Sequence, residues 1–255
     1  MLGAPAVLAT SEMIPGRTTV LLYAHHDVQP VDASRWDSDP FTAEIRGDRI
    51  YGRGTSDDGA GIVVHIGALR ALQQVGAELP VNVVVFIEGE EEVGSPSFQS
   101  FLQQNREVLR SDVIVVAVSN NWTVDVPAVT ASLRGVVTLD VEVQVLGHAV
   151  HSGMFGGPIL DAVTLSSRLI STLHDEDGNV AVEGLGGNPR AEVDWDEGDF
   201  RRDSSVIDGY SLAGTADLAA RVWTMPAIAV IGIDATSVAD SANAIIPRCR
   251  FRLSV

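Results

Sequence analysis

Lysine is absent from the sequence, and all 17 of its basic residues are arginine. The absence of lysine excludes a Schiff-base lysine, a Walker-type phosphate loop and a lysine general base. The 17 basic residues are outnumbered by 34 acidic ones, which gives a formal net charge of -17 and a pI near 4.5. Because nucleic-acid binding needs clustered cations, this charge argues against a nucleic-acid partner.

Cysteine and long apolar runs are also scarce. Cys249 is the single cysteine, so an internal disulfide is excluded and a reducing compartment is expected. No run reaches the ~18 apolar residues of a membrane-spanning helix, and the first residues lack the charged start of a signal peptide. We therefore expect a cytoplasmic protein without a membrane partner.

The apolar pattern predicts an α/β fold with two domains. Up to residue 118, apolar runs of strand length alternate with helical patterns, which indicates a mainly parallel sheet. After Arg134, apolar and polar residues alternate as in an antiparallel sheet with one wet face, so the domains are expected at 1–134 and 135–255. The predicted elements are strands at 18–23, 81–87, 113–118, 139–145, 227–233 and 249–255, a hairpin at 43–51, helices at 61–75, 98–109 and 158–173, and a loop at 184–203.

Three clusters of ionisable residues follow strand-like runs, namely 25–27 (His-His-Asp), 57–58 (Asp-Asp) and 88–92, which holds four glutamates. Open α/β sheets bind ligands beyond the carboxyl ends of their strands, so the clusters are expected close together. Crowded carboxylates repel one another unless a cation neutralises them, and mixed imidazole and carboxylate ligands suit zinc or manganese. The plain alternatives are a hydrogen-bonded strand end, a helix N-cap and a solvated acidic loop.

Four motifs together resemble those of the M20 metallopeptidases, specifically the dipeptidase branch that includes carnosinase-like enzymes. The motifs are HHDVQP at 25–30, YGRGTSDD at 51–58, IEGEEEVGS at 87–95 and HSGMFGG at 151–157. The resemblance implies a partial catalytic domain with a mainly parallel sheet, followed by an incomplete α+β lid or dimerisation domain with an antiparallel sheet. It also implies hydrolysis of dipeptides or related aminoacyl amides, by water activated at a centre of two divalent ions, zinc or manganese.

The resemblance assigns the metal ligands residue by residue. His25, Asp57 and Glu92 match ligands in the family's motifs. Asp57 matches the aspartate that bridges both ions, and the family usually joins that residue to the next one, here Asp58, by a cis peptide bond.

The resemblance also assigns three residues that act around the metals. Asp27 matches the carboxylate that orients and polarises His25. Glu91 matches the general base that takes a proton from the attacking water. His151 matches a histidine that reaches into the partner subunit's active site and stabilises the oxyanion, so a homodimer is implied.

The sequence departs from the family's pattern at one ligand and at both ends. Val118 stands where the family has a further ligand aspartate, and valine cannot coordinate a metal. Relative to the family we also expect a missing N-terminal part and a missing C-terminal histidine ligand. The alternative to an active dipeptidase is therefore a catalytically impaired fragment or pseudoenzyme whose remaining role is dimerisation, and we expect very weak hydrolysis by this chain.

A serine hydrolase is a more distant alternative. The stretch 209–213 (Gly-Tyr-Ser-Leu-Ala) only approximates a nucleophile elbow and lacks the strand, turn and helix that such an elbow requires. Sensitivity to a chelator, as opposed to a serine reagent, would separate the two mechanisms.

Overall fold

The computed structural model describes residues 3–76, 78–119, 121–123 and 125–255. The chain divides into two compact units, Met1–Thr130 and Ala131–Val255. Within the described residues, no helix has the length and apolar character needed to cross a membrane.

The first unit alternates strands with helices in the order that the apolar pattern predicts. Its strands are β1 (Val7–Thr10), β2 (Thr19–His25), β3 (Glu44–Arg46), β4 (Arg49–Tyr51), β5 (Asn82–Glu88) and β6 (Val113–Val116). Its α-helices are α1 (Gly59–Gln74), α2 (Phe98–Gln104) and α3 (Arg106–Leu109), and two short 3-10 helices lie at Ala33–Arg35 and Glu91–Val93. The helix predicted at 98–109 is therefore two helices, which meet at Asn105.

A four-stranded sheet in the order β1-β5-β2-β6 forms the frame of the first unit. β2 runs parallel to both β5 and β6, which confirms the mainly parallel sheet. β1 is an antiparallel edge strand beside β5. The sequence pattern does not predict this strand, because its four residues are too few to show a period.

One face of this sheet carries an apolar core. Leu21, Val84 and Phe86 are buried there, and partly buried side chains from β1, β2, α2 and α3 pack against them. The Phe86 ring stacks on Phe101, with ring centroids 5.0 Å apart. β2 and β5, which carry these core residues, pair in register from Thr19 opposite Asn82 to His25 opposite Glu88.

The prediction that 113–118 is a buried strand is wrong in its burial. The strand exists as Val113–Val116, but each of its four side chains is between 43% and 62% exposed. β6 pairs with β2 on one side, and no other described strand pairs with its far side. Side chains on both faces of β6 are exposed, so the described residues cover neither face of this strand. An apolar β-branched run specifies a strand and does not specify its place in the sheet.

The second unit contains a three-stranded antiparallel sheet and a separate two-stranded pair. Its strands are β7 (Thr138–Gln144), β8 (Val150–His151), β9 (Ala229–Asp234), β10 (Ala244–Ile245) and β11 (Arg248–Ser254), and its helices are α4 (Ser152–Phe155), α5 (Ala162–Ser171), α6 (Glu197–Ser204) and α7 (Leu218–Trp223). The sheet has the order β7-β11-β9, and β10 pairs with β8. The predicted antiparallel sheet with a wet face is confirmed, since buried and exposed residues alternate along β11.

Two predictions in this unit, one of a helix and one of a loop, need correction. The helix predicted from Pro158 begins at Ala162, because the side chain of Asp161 accepts a hydrogen bond from the Thr164 amide and caps the helix there. The loop predicted at 184–203 contains most of α6, which Asp196 caps in the same way. In both places a capping aspartate sets the start of the helix.

Candidate functional site

Strands β2 and β5 bring two of the ionisable clusters to the same edge of the first sheet. The strands are parallel and in register, so His25 at the end of β2 lies opposite Glu88 at the end of β5. The His26 amide donates to the Glu88 carbonyl oxygen over 2.8 Å, which continues the pairing past the strand ends. The clusters at 25–27 and 88–92 therefore start side by side, as expected for the carboxyl edge of a parallel sheet.

The ring of His25 is buried and lies between two aspartates. Its Nδ1 is 3.2 Å from the Asp27 carbonyl oxygen, and because a carbonyl oxygen only accepts, Nδ1 carries a proton. Its Nε2 is 3.0 Å from Asp57 Oδ1. In the neutral ring Nε2 holds a lone pair, so this contact requires a proton or a cation between the two atoms. Burial lowers the pKa of His25, but the hydrogen bond to Asp27 and the nearby carboxylates, led by Glu91, leave that pKa raised overall.

The pair formed by His25 Nε2 and Asp57 Oδ1 also suits two ligands of one metal ion. Two ligands ~2.1 Å from a zinc ion are about 3.0 to 3.4 Å apart at angles between a right angle and a tetrahedral one, and these two atoms are 3.0 Å apart. No group of three or more His, Cys, Asp or Glu side chains among the described residues has the arrangement of a metal site. His25 and Asp57 thus fit a divalent ion in donor type and in spacing, as a pair and without a third described donor in place.

Asp57 and Asp58 have different environments although they are adjacent. The peptide bond between them is cis, as the resemblance implies. The Asp57 side chain is 70% exposed and meets the His25 ring. Asp58 is buried, and its two carboxylate oxygens accept from the amides of His25 (3.1 Å) and Gly61 (3.2 Å). The helix-cap alternative is therefore right for Asp58, which caps α1, and does not describe Asp57.

Asp27 connects the end of β2 to the segment 89–97 between β5 and α2, which carries Glu90, Glu91 and Glu92 and is called the glutamate loop. Its carboxylate accepts from the amides of Glu91 (3.1 Å) and Glu92 (2.9 Å), at the start of the Glu91–Val93 helix. Its Oδ1 also lies 3.5 Å from His25 Nδ1. One carboxylate thus sets the position of the backbone that carries Glu91 and Glu92 relative to the His25 ring.

Glu91 and Glu92 project from this capped turn. Glu91 as a residue is exposed, but partial burial of its carboxyl group raises its pKa above the ordinary value. Its neighbours Glu92, Asp57 and Asp27 raise the pKa further, while His25 acts in the opposite direction. The Gln29 side chain donates to both the carbonyl oxygen (2.7 Å) and the carboxylate (2.9 Å) of Glu92, which fixes that side chain.

Val118 lies two residues past the end of β6. The Ala117 amide still donates to the Tyr23 carbonyl oxygen over 3.1 Å, so the pairing with β2 ends one residue before Val118. The Val118 side chain is 41% exposed and has no donor atom for a metal. The resemblance places a ligand aspartate at this position, and that assignment stays a prediction.

His151 lies in the second unit, at the end of β8, and is exposed. It pairs with Ala244 of β10, and its Nδ1 accepts from the Gly153 amide over 3.0 Å. Because a neutral ring that accepts at Nδ1 carries its proton on Nε2, the exposed side of the ring is a hydrogen-bond donor. The role that the resemblance gives to His151 stays a prediction.

Sequence reasoning missed the structural hydrogen bonds that Tyr23, His26 and Glu90 make close to the site. The Tyr23 hydroxyl donates to buried Glu88 over 2.6 Å, and burial followed by that bond raises the pKa of Tyr23 well above its ordinary value. His26 and Glu90 bind the chain just before β1. His26 and Glu90 stand directly beside other ionisable groups in the sequence, so no spacing rule separates them from ligands. Tyr23 lies between two apolar residues of β2, where nothing in the sequence indicates a partner. Ser211, the candidate serine nucleophile, lies in a loop and not between a strand and a helix.

Comparisons with known proteins agree on one family. The model of "Peptidase family M20/M25/M40" matches residues 21–239. The cysteinylglycine-S-conjugate dipeptidase of Corynebacterium striatum is 35% identical over 259 residues, which cover 99% of this chain and 57% of that protein. The chain spans about half the length of the curated relatives it matches.

Two solved structures extend the likeness to the fold. The M20 family metallo-carboxypeptidase Sso-CP2 from Sulfolobus solfataricus has a TM-score of 0.78 and 26% identity, over 99% of this chain and 60% of its own. Human carnosine dipeptidase 1 has a TM-score of 0.70 and 29% identity, over 98% of this chain and 56% of its own. Together with the matched family model, these findings show that the chain belongs to the peptidase family M20/M25/M40.

Proposed function

We propose that this chain is part of a dipeptidase that hydrolyses dipeptides or related aminoacyl amides at a two-metal centre. Membership of the family implies dependence on a divalent metal. The observation that carries the proposal is the 3.0 Å contact between His25 Nε2 and Asp57 Oδ1, inside a cluster of carboxylates at the sheet edge. Relatives named for cysteinylglycine conjugates and carnosine support small dipeptides as the substrate class.

Three residues would hold the metals, namely His25, Asp57 and Glu92, with zinc or manganese as the ion. Bound divalent ions would lower the pKa of a water molecule and polarise the amide carbonyl. Asp27 keeps the His25 ring in the tautomer that presents Nε2 to the ion, and it holds the Glu92 backbone in place.

Glu91 is the proposed general base. Its raised pKa brings the carboxyl group nearer to neutral pH, where a base works best. It takes the proton of the attacking water and returns a proton to the leaving amine. His151 of the partner subunit would donate a hydrogen bond to the oxygen of the reacting carbonyl, so the working form is a homodimer.

A second candidate is a catalytically impaired family member whose remaining role is dimerisation. Val118 favours it, because the position of a ligand aspartate is apolar. The lack of a three-donor metal group among the described side chains points the same way. Under this proposal the chain binds metal weakly and hydrolysis stays undetectable.

The two candidates separate in one experiment on the purified chain and on its Val118→Asp, Glu91→Gln and His25→Ala variants. Manganese affinity is measured by calorimetric titration, and hydrolysis of Cys-Gly and β-alanyl-histidine by release of the free amino acids. Under the dipeptidase proposal the parent chain binds manganese, and His25→Ala abolishes that binding. Val118→Asp binds manganese more tightly and hydrolyses the dipeptides faster than the parent chain. Glu91→Gln loses hydrolysis but keeps its manganese affinity.

Inhibition by a chelator and not by a serine reagent is also expected. If neither the parent chain nor Val118→Asp binds manganese or cleaves either dipeptide, the dipeptidase proposal is wrong for this chain and the impaired form stands.

A further inference from the structure

Glu90 stands directly before the proposed base and ligand but binds in a different direction. Its Oε1 accepts from the Ala4 amide over 2.7 Å. Its Oε2 accepts from the amide (3.0 Å) and the hydroxyl (2.6 Å) of Ser97. One side chain thus links Ser97, at the end of the glutamate loop, to Ala4, in the chain before β1. Hydrogen bonds to an ionised carboxylate are stronger than those between neutral groups.

His26 makes a second fastening to the same stretch of chain. Its Nε2 lies 2.8 Å from the Pro5 carbonyl oxygen, and since that oxygen only accepts, the ring donates. The backbone of His26 is at the same time held to the Glu88 carbonyl oxygen. His26, which follows His25, and Glu90, which precedes Glu91, are therefore both bound to the stretch just before β1.

Gly3 and Gly89 show that the stretch 3–5 passes closely over the glutamate loop. A Cβ atom at Gly89 would collide with the Pro5 carbonyl oxygen and lie 2.9 Å from His26 Nε2. A Cβ atom at Gly3 would collide with the Ser97 hydroxyl and lie 2.8 Å from Glu90 Oε1. The stretch 3–5 is thus packed against the loop as well as hydrogen-bonded to it.

The stretch 3–5 is itself held by the sheet. It leads into β1, whose residues pair with β5 from Val7 opposite Ile87 to Thr10 opposite Val84. Glu90 and His26 therefore bind a stretch that ends two residues before a hydrogen-bonded strand. We define the brace as the stretch 3–5, its hydrogen bonds to His26 and Glu90, and the bonds of Glu90 to Ser97.

We propose that Glu90 and His26 are positioning residues of the site, which act through the brace to fix the backbone that carries His25, Glu91 and Glu92. Neither residue is a metal ligand or a base, although each stands next to one. This inference rests on the proposed metal-dependent function. It predicts that loosening the brace weakens metal binding without removing any ligand.

The first test replaces Glu90 by glutamine, which keeps the shape but turns an acceptor oxygen into an NH2 donor that must face an amide or hydroxyl donor. Manganese affinity is measured by titration, and amide hydrogen exchange is followed by mass spectrometry in peptides from 3–10 and 89–98. We expect manganese affinity to fall by about 10-fold or more, in the range seen for partners that orient ligands, with faster exchange in both peptides. Glu107→Gln, an exposed glutamate on α3, is the matched control and should change neither.

The second test uses a conservative pair at His26. His26→Gln retains a donor for the Pro5 carbonyl oxygen, whereas His26→Ala does not. We expect the alanine variant to lose manganese affinity and the glutamine variant to recover most of it. This pair decides the question even if Glu90→Gln fails to fold.

The outcomes separate this inference from the proposed function. If the parent chain binds manganese and the Glu90 and His26 variants bind it within about twofold of the parent, the brace has no positioning role and the inference alone fails. Faster exchange with unchanged affinity overturns it as well, since the brace would then serve stability only. If the parent chain itself binds no manganese, the proposed function fails and takes this inference with it.

Discussion

Adjacent residues of one chemical type have different tasks at this sheet edge. His25 faces Asp57 while His26 binds the Pro5 carbonyl oxygen. Asp57 meets the His25 ring, whereas Asp58 caps α1 and is buried. In a strand, successive side chains point to opposite faces, and in the turn at 57–58 the two aspartates also have different partners. The direction of each side chain, and not its type, therefore separates candidate ligands from anchors.

Asp27 provides a prediction at this scale. Its carboxylate accepts from two backbone amides, and an asparagine would place an NH2 donor against one of them. We expect Asp27→Asn to lower manganese affinity and dipeptide hydrolysis by about 10- to 100-fold, because the loop with Glu91 and Glu92 loses an anchor.

Calorimetric titration and initial rates measure the effect of Asp27→Asn. Asp32→Asn is the control, since Asp32 caps the short Ala33–Arg35 helix and is exposed. Equal affinity in Asp27→Asn and the parent chain would contradict the anchoring role of Asp27.

At the scale of elements, capping side chains set where helices begin. The stretch before α5 offers both Pro158 and Asp161 as starting signals, and the structure uses Asp161. The Asp161 carboxylate accepts from the amide (2.9 Å) and the hydroxyl (2.7 Å) of Thr164. Two bonds from the third residue of the helix outweigh the preference of proline for a first turn.

Asp161→Ala should therefore destabilise the second unit. Loss of such a cap costs about 1 kcal/mol, and Asp161→Asn, which keeps an acceptor oxygen, should lose less. The hydrogen bonds from Thr164 lower the pKa of Asp161, so its contribution is present above the pKa of the unfolded chain and is lost as the pH falls through the folded-state value.

Urea unfolding at neutral and at acidic pH measures both parts of this expectation. The difference between the parent chain and Asp161→Ala should shrink at acidic pH. A difference that stays constant down to the most acidic point would show that the cap does not depend on the ionised carboxylate.

At the scale of the whole molecule, the proposed base and the proposed oxyanion donor lie in different units, Glu91 in the first and His151 in the second. If the site is completed across a homodimer, mixing Glu91→Gln and His151→Ala chains should restore hydrolysis. One of the two sites in each mixed dimer is then intact, so random exchange in an equal mixture gives about a quarter of the parental activity.

The mixing experiment is scored by dipeptide hydrolysis, with light scattering to establish that dimers form. Each variant alone is the control and should be inactive. Where the parent chain hydrolyses the dipeptide, mixed dimers that stay inactive would show that His151 does not act across the subunit boundary.

The sequence by itself determined the class of the fold, the order of most elements and the positions of the motifs. β-branched runs and their alternation predict β2, β5, β7 and β11 correctly, since these patterns report which side chains leave water. The motifs at 25–27, 57–58 and 88–92 led to the prediction that these clusters lie close together, and the contacts of His25 with Asp57 and Glu88 agree with it.

Only the tertiary structure decided which members of those motifs face one another. The parallel register of β2 and β5 places His25 beside the glutamate loop, and the Asp27 carboxylate fixes that loop. The tertiary structure also decided that β6 lies at the edge of the sheet with its apolar side chains exposed. These features depend on contacts between residues far apart in the chain, and local patterning carries no information about such contacts.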